Sequence, residues 1–287
     1  MDRMAWPDWL RDESKARHMG QTIASHLQNE FVFDGVTRTH SSGTCTPLLR
    51  HIGSDMAFCL LPGGSFRMGL SDDEERSARA IDEDFSDGFD ISAMQPMRVV
   101  AVKPFLISQS IVPGEAAKRA LSITPGDPRD GLPGFPFARL RRVDALALCE
   151  KWLLELPTEA QLEYAYRGGT QTLFPWGNTL PEAEALEGHV SAKEDGPWRN
   201  AFGLIDTNWG EWCRGRFSDA DGTHDYCKDN NGIAVRGGAA DGWPWQGCGE
   251  WIMLMSAHRY EITEKSDASQ TRLTKQFRLA RNIDEAP

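Results

Sequence analysis

In the C-terminal third of the chain a single thiol, Cys248, is followed by the thioether of Met253 and then by His258 and Arg259. A thiol beside a base or a cation is a candidate nucleophile, because the thiolate is the reacting form and a nearby positive charge favours it. The same side chain packed among apolar neighbours would be a small hydrophobe. Sequence alone leaves both readings of Cys248 open. A second group is built of oxygen donors: Asn200, Asp206, Asn208 and Glu211 are the hard ligands that calcium takes. Asp219-Ala220-Asp221-Gly222 and Asp229-Asn230-Asn231-Gly232 offer further oxygens, although each also reads as a solvated turn. The histidines are His18, His26, His40, His51, His189, His224 and His258. His18 and His26 fall on roughly one face of a predicted helix, where they could join His51 or His258 at a metal. Trp243 and Trp245 flank Pro244, and Trp251 follows. Aromatic rings on a rigid loop bind with little loss of entropy, so these three, with Arg259, form a candidate ligand-binding surface.

The elements that must position these residues are unevenly legible. Trp9, Ala16, Met19, Ile23 and Leu27 keep helical spacing over residues 9 to 27. Phe31 to Thr39 alternates as a strand near a turn signal at Asp34-Gly35, and Ser41-Ser42-Gly43 follows as a loop. Met56 to Leu61 reads as a strand stopped by Pro62-Gly63-Gly64. The stretch from Ser71 to Asp90 is so acidic and aperiodic that a solvated loop is expected. Arg98 to Val112 predicts one or two buried strands, and Asp144 to Leu154 a helix. Thr158 and Gln161 form a capping-box pair ahead of another helix, with Gly168-Gly169 suited to end it. Beyond Thr170 no helical period survives, so loops and short strands stabilised by aromatic packing are expected.

Bulk composition narrows the function classes. With 40% hydrophobic residues in 287, the chain can bury a sizeable core. Its formal charge of −11 leaves no basic surface for phosphate, so nucleic acid and anionic membrane are not expected partners. No apolar run is long enough to span a bilayer and no leader pattern opens the sequence, which makes the cytosol the expected compartment. Six scattered cysteines without a Cys-x-x-Cys read as reduced thiols, with a Cys213 to Cys227 bridge left open.

In chain order the motifs resemble one family. Leu156-Pro157-Thr158-Glu159-Ala160-Gln161-Leu162-Glu163-Tyr164-Ala165-Tyr166-Arg167-Gly168-Gly169 resembles the helix signature of the formylglycine-generating-enzyme, or sulfatase-modifying-factor, family. Phe174-Pro175-Trp176-Gly177-Asn178 is similar to the loop that follows it. Leu61 to Gly69 and Pro96 to Val112 resemble its opening strands, and Val143 to Trp152 the next helix. Asn200 to Asp206, Glu211-Trp212-Cys213, Val235-Arg236-Gly237-Gly238, Ser256-Ala257-His258-Arg259 and Gln276 to Arg281 resemble its later motifs. The resemblance implies an α+β, C-type-lectin-like fold with little regular secondary structure. It places that domain at residues 55–287, behind a helix and strand extension at 1–54.

What the resemblance implies for chemistry is mixed. Family enzymes carry two cysteines after the Gly-Gly strand, separated by four residues, a soft pair suited to copper(I). Here Cys248 stands alone, and Met253 occupies the second position with an uncharged thioether. A related branch uses iron held by three histidines. Calcium cages stiffen other members, but the Asp206 to Trp212 segment is two residues shorter than the family pattern. The expected function is therefore a binding or accessory module for a protein, peptide or small ligand. The alternative is a copper- or iron-dependent, oxygen-using oxidoreductase built from Cys248, His258 and an N-terminal histidine.

Overall fold

The computed structural model describes residues 6–39, 42–83, 91–124, 138–180, 199–207, 209–217, 232–238, 250–263 and 274–283. The chain opens with a 3₁₀ turn at Asp8–Arg11 and then helix α1, Glu13–His26. Asp12 separates them because its side chain accepts the amide of Lys15 at 3.0 Å, an N-cap that starts the helix afresh. α1 buries Ala16, Gly20 and Ile23. A Cβ on Gly20 would lie 2.7 Å from the Phe33 ring and 2.9 Å from Pro47, so the close approach of α1 to the sheet needs glycine there.

That sheet has five strands, β1 Phe31–Thr39, β2 Thr44–His51, β3 Ala57–Leu61, β6 Phe105–Ser108 and β10 Ala280–Asn282, in the order β1-β2-β3-β6-β10. The Asp34-Gly35 turn signal is overridden. β1 runs through it, and the extra residue is absorbed as an irregularity between Phe33, opposite Leu49, and Gly35, opposite Leu48. Two smaller antiparallel sheets complete the strands: β4 Gly64–Met68 with β5 Arg98–Val102, and β7 Glu211–Arg216, β8 Gly232–Arg236 and β9 Arg259–Thr263. The extension over residues 1–54 shares the main core: Ile23, Phe31 and Leu49 pack in one cluster with Phe58, Leu106, Trp212 and Phe277.

Helix α2, Asp72–Ile81, corrects the expected solvated loop. Ser71 and Glu74 form a capping box, and four acidic residues in the first turn favour the positive end of the helix dipole. Residues 84–90 of that stretch lie outside the described residues. Helices α3, Gly114–Leu121, and α4, Arg142–Trp152, lead to α5, Glu159–Arg167, which begins at the expected Thr158–Gln161 capping box and ends at Gly168 in the left-handed conformation. A second core cluster holds Phe66, Phe105, Tyr164 and Phe202, and a third gathers Leu173, Phe174, Trp251, Ile252 and Met255. None of the described helices is long and apolar enough to cross a membrane.

Candidate functional site

Arg236 closes β8, Arg259 opens β9, and the strand register sets them opposite each other. They are the two stems of the segment between these strands, of which residues 239–249 lie outside the described set. Helix α5 supplies the countercharges. Glu159, Glu163 and Arg167 recur every four residues and so share one helix face. The Glu159 carboxylate lies 2.7 Å from Nε of Arg259, accepts from its Nη2 at 2.8 Å, and stands 3.7 Å from Nε of Arg236. Glu163 lies 2.5 Å from Nη2 of Arg236 and accepts from Nε of Arg167 at 2.9 Å and from the Gly69 amide at 2.7 Å. Arg167 continues to Glu74 at 2.7 Å and to the Gly69 carbonyl at 2.8 Å.

This network is almost dry: Glu163 is 0% exposed, Arg167 and Arg236 are 1% exposed and Glu74 is 2% exposed. Burial would raise the Glu163 carboxyl, but the guanidiniums of Arg236 and Arg167, with the Gly69 amide, hold it below the usual carboxylate range. Removing one partner of such a buried pair typically costs about 3–5 kcal/mol, since it strands the other charge. The network therefore fixes the two stems to α5.

Between the stems, Gly237 has φ 72°, and a Cβ there would lie 2.3 Å from the Trp209 carbonyl oxygen. Glycine is required for that approach. His258 Nδ1 donates to the Gly237 carbonyl at 3.1 Å. Burial pushes this imidazole down to about 4, with the Gly237 bond opposing and Arg236 assisting, so the ring is neutral near pH 7.

On the other side of β7, Arg278 donates to five oxygens: Glu211 Oε1 at 3.0 Å and the carbonyls of Ser108 (3.3 Å), Gln109 (2.7 Å), Ile205 (2.5 Å) and Asp206 (2.9 Å). Tyr166 donates to the same Glu211 oxygen at 2.6 Å. Burial raises the carboxyls of Asp206 and Glu211 despite Arg278. Asp206 Oδ2 and Glu211 Oε2 are buried without a hydrogen-bond partner among the described residues.

The residues singled out from sequence are thus dispersed. Asn200 is spent on backbone: its Oδ1 accepts from the amides of Phe202 and Leu204, each at 3.0 Å, and its Nδ2 donates to the carbonyls of Ala165 and Tyr166. Trp251 is 4% exposed and meets Phe174 edge-on at 6.1 Å, so its ring is part of the third core cluster and not a recognition surface. Arg259 is 5% exposed and stacks on Phe217 at 4.0 Å, which leaves it a structural cation. Cys248, Trp243, Trp245 and Asn208 lie outside the described residues.

The four described histidines are not gathered, and His40, His189 and His224 lie outside the described residues. His18 and His26 are exposed on α1, while His51 and His258 are buried. Nδ1 of His51 accepts from the Ser54 amide at 3.1 Å and lies 2.9 Å from the Ser54 hydroxyl. Among the described residues no three His, Cys, Asp or Glu side chains form a metal-holding group. Among the described residues Cys45, Cys59, Cys149 and Cys213 are buried free thiols; Cys227, the other half of the bridge left open by the sequence, lies outside them. Burial lifts Cys59 and Cys149 to about 12, far from thiolate formation at neutral pH. Glu74, Glu163, Arg167 and Arg236 were not singled out from sequence. The signal that could have found part of the network is the repeated four-residue spacing of charge along α5.

The model for the sulfatase-modifying factor enzyme 1-like domain matches residues 51–283. The chain belongs to this family. Within it, the formylglycine-generating enzyme of Bos taurus is 49% identical over 49 residues, which are 17% of this chain and 13% of that protein. The match therefore spans only a small part of the bovine enzyme. Among solved structures, PvdO from Pseudomonas aeruginosa aligns with TM-score 0.54 and 21% identity, covering 82% of this chain and 98% of that one. Treponema denticola variable protein 1 aligns with TM-score 0.53 and 19% identity, covering 81% and 98%. At these identities the two structures establish the shared α+β fold of the family and nothing of its activity.

Proposed function

We propose that this family member is a binding module that presents the segment between Arg236 and Arg259 to a protein, peptide or small ligand, and that it does not convert cysteine to formylglycine. The reading rests on one observation: both stems of that segment are fixed by the carboxylates of half-buried Glu159 and buried Glu163. Fixed stems hold both ends of that segment at one place on the protein, and its sequence supplies Trp243 and Trp245. Copper(I) does not fit the donors present. Cys248 has no second thiol at the family spacing, and Met253, which takes that position, packs its thioether against the third core cluster. For calcium the described residues offer two unpartnered oxygens, on Asp206 and Glu211, and an ion held there would supply rigidity to the surrounding loop. The free thiols favour a reducing compartment such as the cytosol.

The test is to load the full chain with copper(I) without oxygen, add oxygen and a cysteine-containing peptide, and capture any peptide aldehyde with a hydrazide. No aldehyde is expected, and aldehyde production above a copper-only control would overturn the reading. In parallel, peptide and small-molecule libraries would be screened by tryptophan fluorescence. Any ligand is expected to bind at least about tenfold more weakly to the Trp243→Ala, Trp245→Ala variant, on the hot-spot behaviour of buried aromatics.

A further inference from the structure

β5 alternates strictly: Arg98, Val100 and Val102 are half-buried, whereas Val99 is 72% exposed and Ala101 faces solvent beside it. Val100 and Val102 pack on the second core cluster, so Arg98 lies on the same side of the strand. There it comes within electrostatic reach of Arg259, Glu163, Glu159 and Arg236. The carboxylates in this neighbourhood are already committed. Glu159 serves Arg259 and Arg236, Glu163 serves Arg236 and Arg167, and Glu74 serves Arg167. Three carboxylates thus balance three guanidiniums, and Arg98 is a fourth cation. Its backbone pairs with Met68, and among the described residues its side chain has no hydrogen bond and no ion pair. Burial, and next the positive charge of Arg259, weaken its hold on the proton, yet a guanidinium stays charged at any physiological pH. A half-buried guanidinium beside carboxylates already paired with other arginines gains from an anion that pairs with it.

We propose that Arg98 is the seat of a carboxylate ligand, bound beside the N-terminal end of α5 and the paired stems of β8 and β9. The excess at this place is a single positive charge, which a monoanion neutralises. The planar fork of one guanidinium matches a carboxylate with two parallel hydrogen bonds. A phosphate dianion would bring a second negative charge to a place where Arg236 and Arg259 are already occupied. The chain carries a net charge of −11, so this is a local cationic seat and not part of a basic surface. The inference does not depend on the aromatic segment, and it stands or falls separately from the binding reading above.

The experiment uses the full chain at constant ionic strength, exchanging sodium chloride for sodium acetate, sodium N-acetylglutamate or sodium phosphate. Thermal midpoints are recorded together with the arginine Nε–H resonances, and the Arg98 signal is identified by its loss in Arg98→Lys. Both carboxylates are expected to raise the midpoint saturably and to shift that resonance. Arg98→Met is expected to melt no lower than wild type in chloride, because it removes an uncompensated cation, and to ignore acetate. Arg98→Lys, which keeps the charge but not the fork, is expected to need at least about tenfold more acetate for half saturation. Absence of a carboxylate effect, its persistence in Arg98→Met, or a lower chloride midpoint for Arg98→Met would overturn the proposal. A stronger response to phosphate than to acetate would overturn the assignment of a carboxylate.

Discussion

The imidazole of His258 gives the site its clearest acid sensitivity. Its folded pKa is about 4 against an ordinary value of 6.5, so between these values the unfolded chain binds a proton that the folded protein does not. Stability from this residue is fully present above about pH 6.5 and is lost as the pH falls toward 4. Asp206 and Glu211 work in the opposite sense, since burial raises their carboxyls and their contribution declines as the pH rises through the ordinary carboxylate range. Replacing His258 with Asn keeps a donor for the Gly237 carbonyl and removes the titration. Urea unfolding at pH 7 and pH 4.5 should show wild type losing roughly 2–3 kcal/mol more than His258→Asn across that interval. Equal losses in the two proteins would remove His258 from the account. Sequence drew attention to this histidine through its place near Cys248, but as a base or ligand. Its observed partner is a backbone carbonyl, set by the approach of β8 and β9.

At the scale of elements, α5 carries the site because it starts where its capping box dictates. Thr158 accepts the Gln161 amide at 3.1 Å, and Gln161 accepts the Thr158 amide at 2.9 Å. Thr158→Ala should lower stability by about 1 kcal/mol, read as a shift in the urea midpoint with unchanged slope. A neutral result would mean that tertiary contacts alone fix the start of the helix. The same chemistry at Ser71 and Glu74 was present in the sequence but masked by the density of acidic residues around it, which read as a solvated run. Glu74 is in fact pulled into the interior by Arg167, a partner distant in the chain. The Asp34-Gly35 pair shows the converse. It is a sound local turn signal, yet pairing with β2 on both sides turned it into an irregularity within a strand.

The whole molecule is organised by a sheet that draws on both ends of the chain, with β1 and β2 on one side and β10 on the other. The family match starts at residue 51, so α1, β1 and nearly all of β2 lie outside it, although they share its core. A chain beginning at Ser54 would leave β3 as a bare edge and uncover Phe58 and Leu60, and burial of each such side chain is worth about 1.5–3 kcal/mol. The truncated protein should aggregate or lose its cooperative thermal transition, as judged by light scattering and calorimetry. A soluble fragment with an unchanged midpoint would make residues 1–53 an appendage.

The sequence by itself determined the family, the α+β class, the helix starting at Thr158 and the absence of a paired thiol beyond the Gly-Gly strand. These are local or ordered signals: capping chemistry, hydrophobic period, and motifs in a fixed sequence. It could not decide that Trp251 and Arg259 turn inward, that Asn200 is spent on backbone, or that Glu74 and Glu163 join through Arg167, with Arg236 as a second partner of Glu163. Nor could it separate Arg98 from the arginines around it. Whether a charge is paired or left over depends on which carboxylates reach it through space, and that is settled only when helix α5 and strands β5, β8 and β9 are packed together.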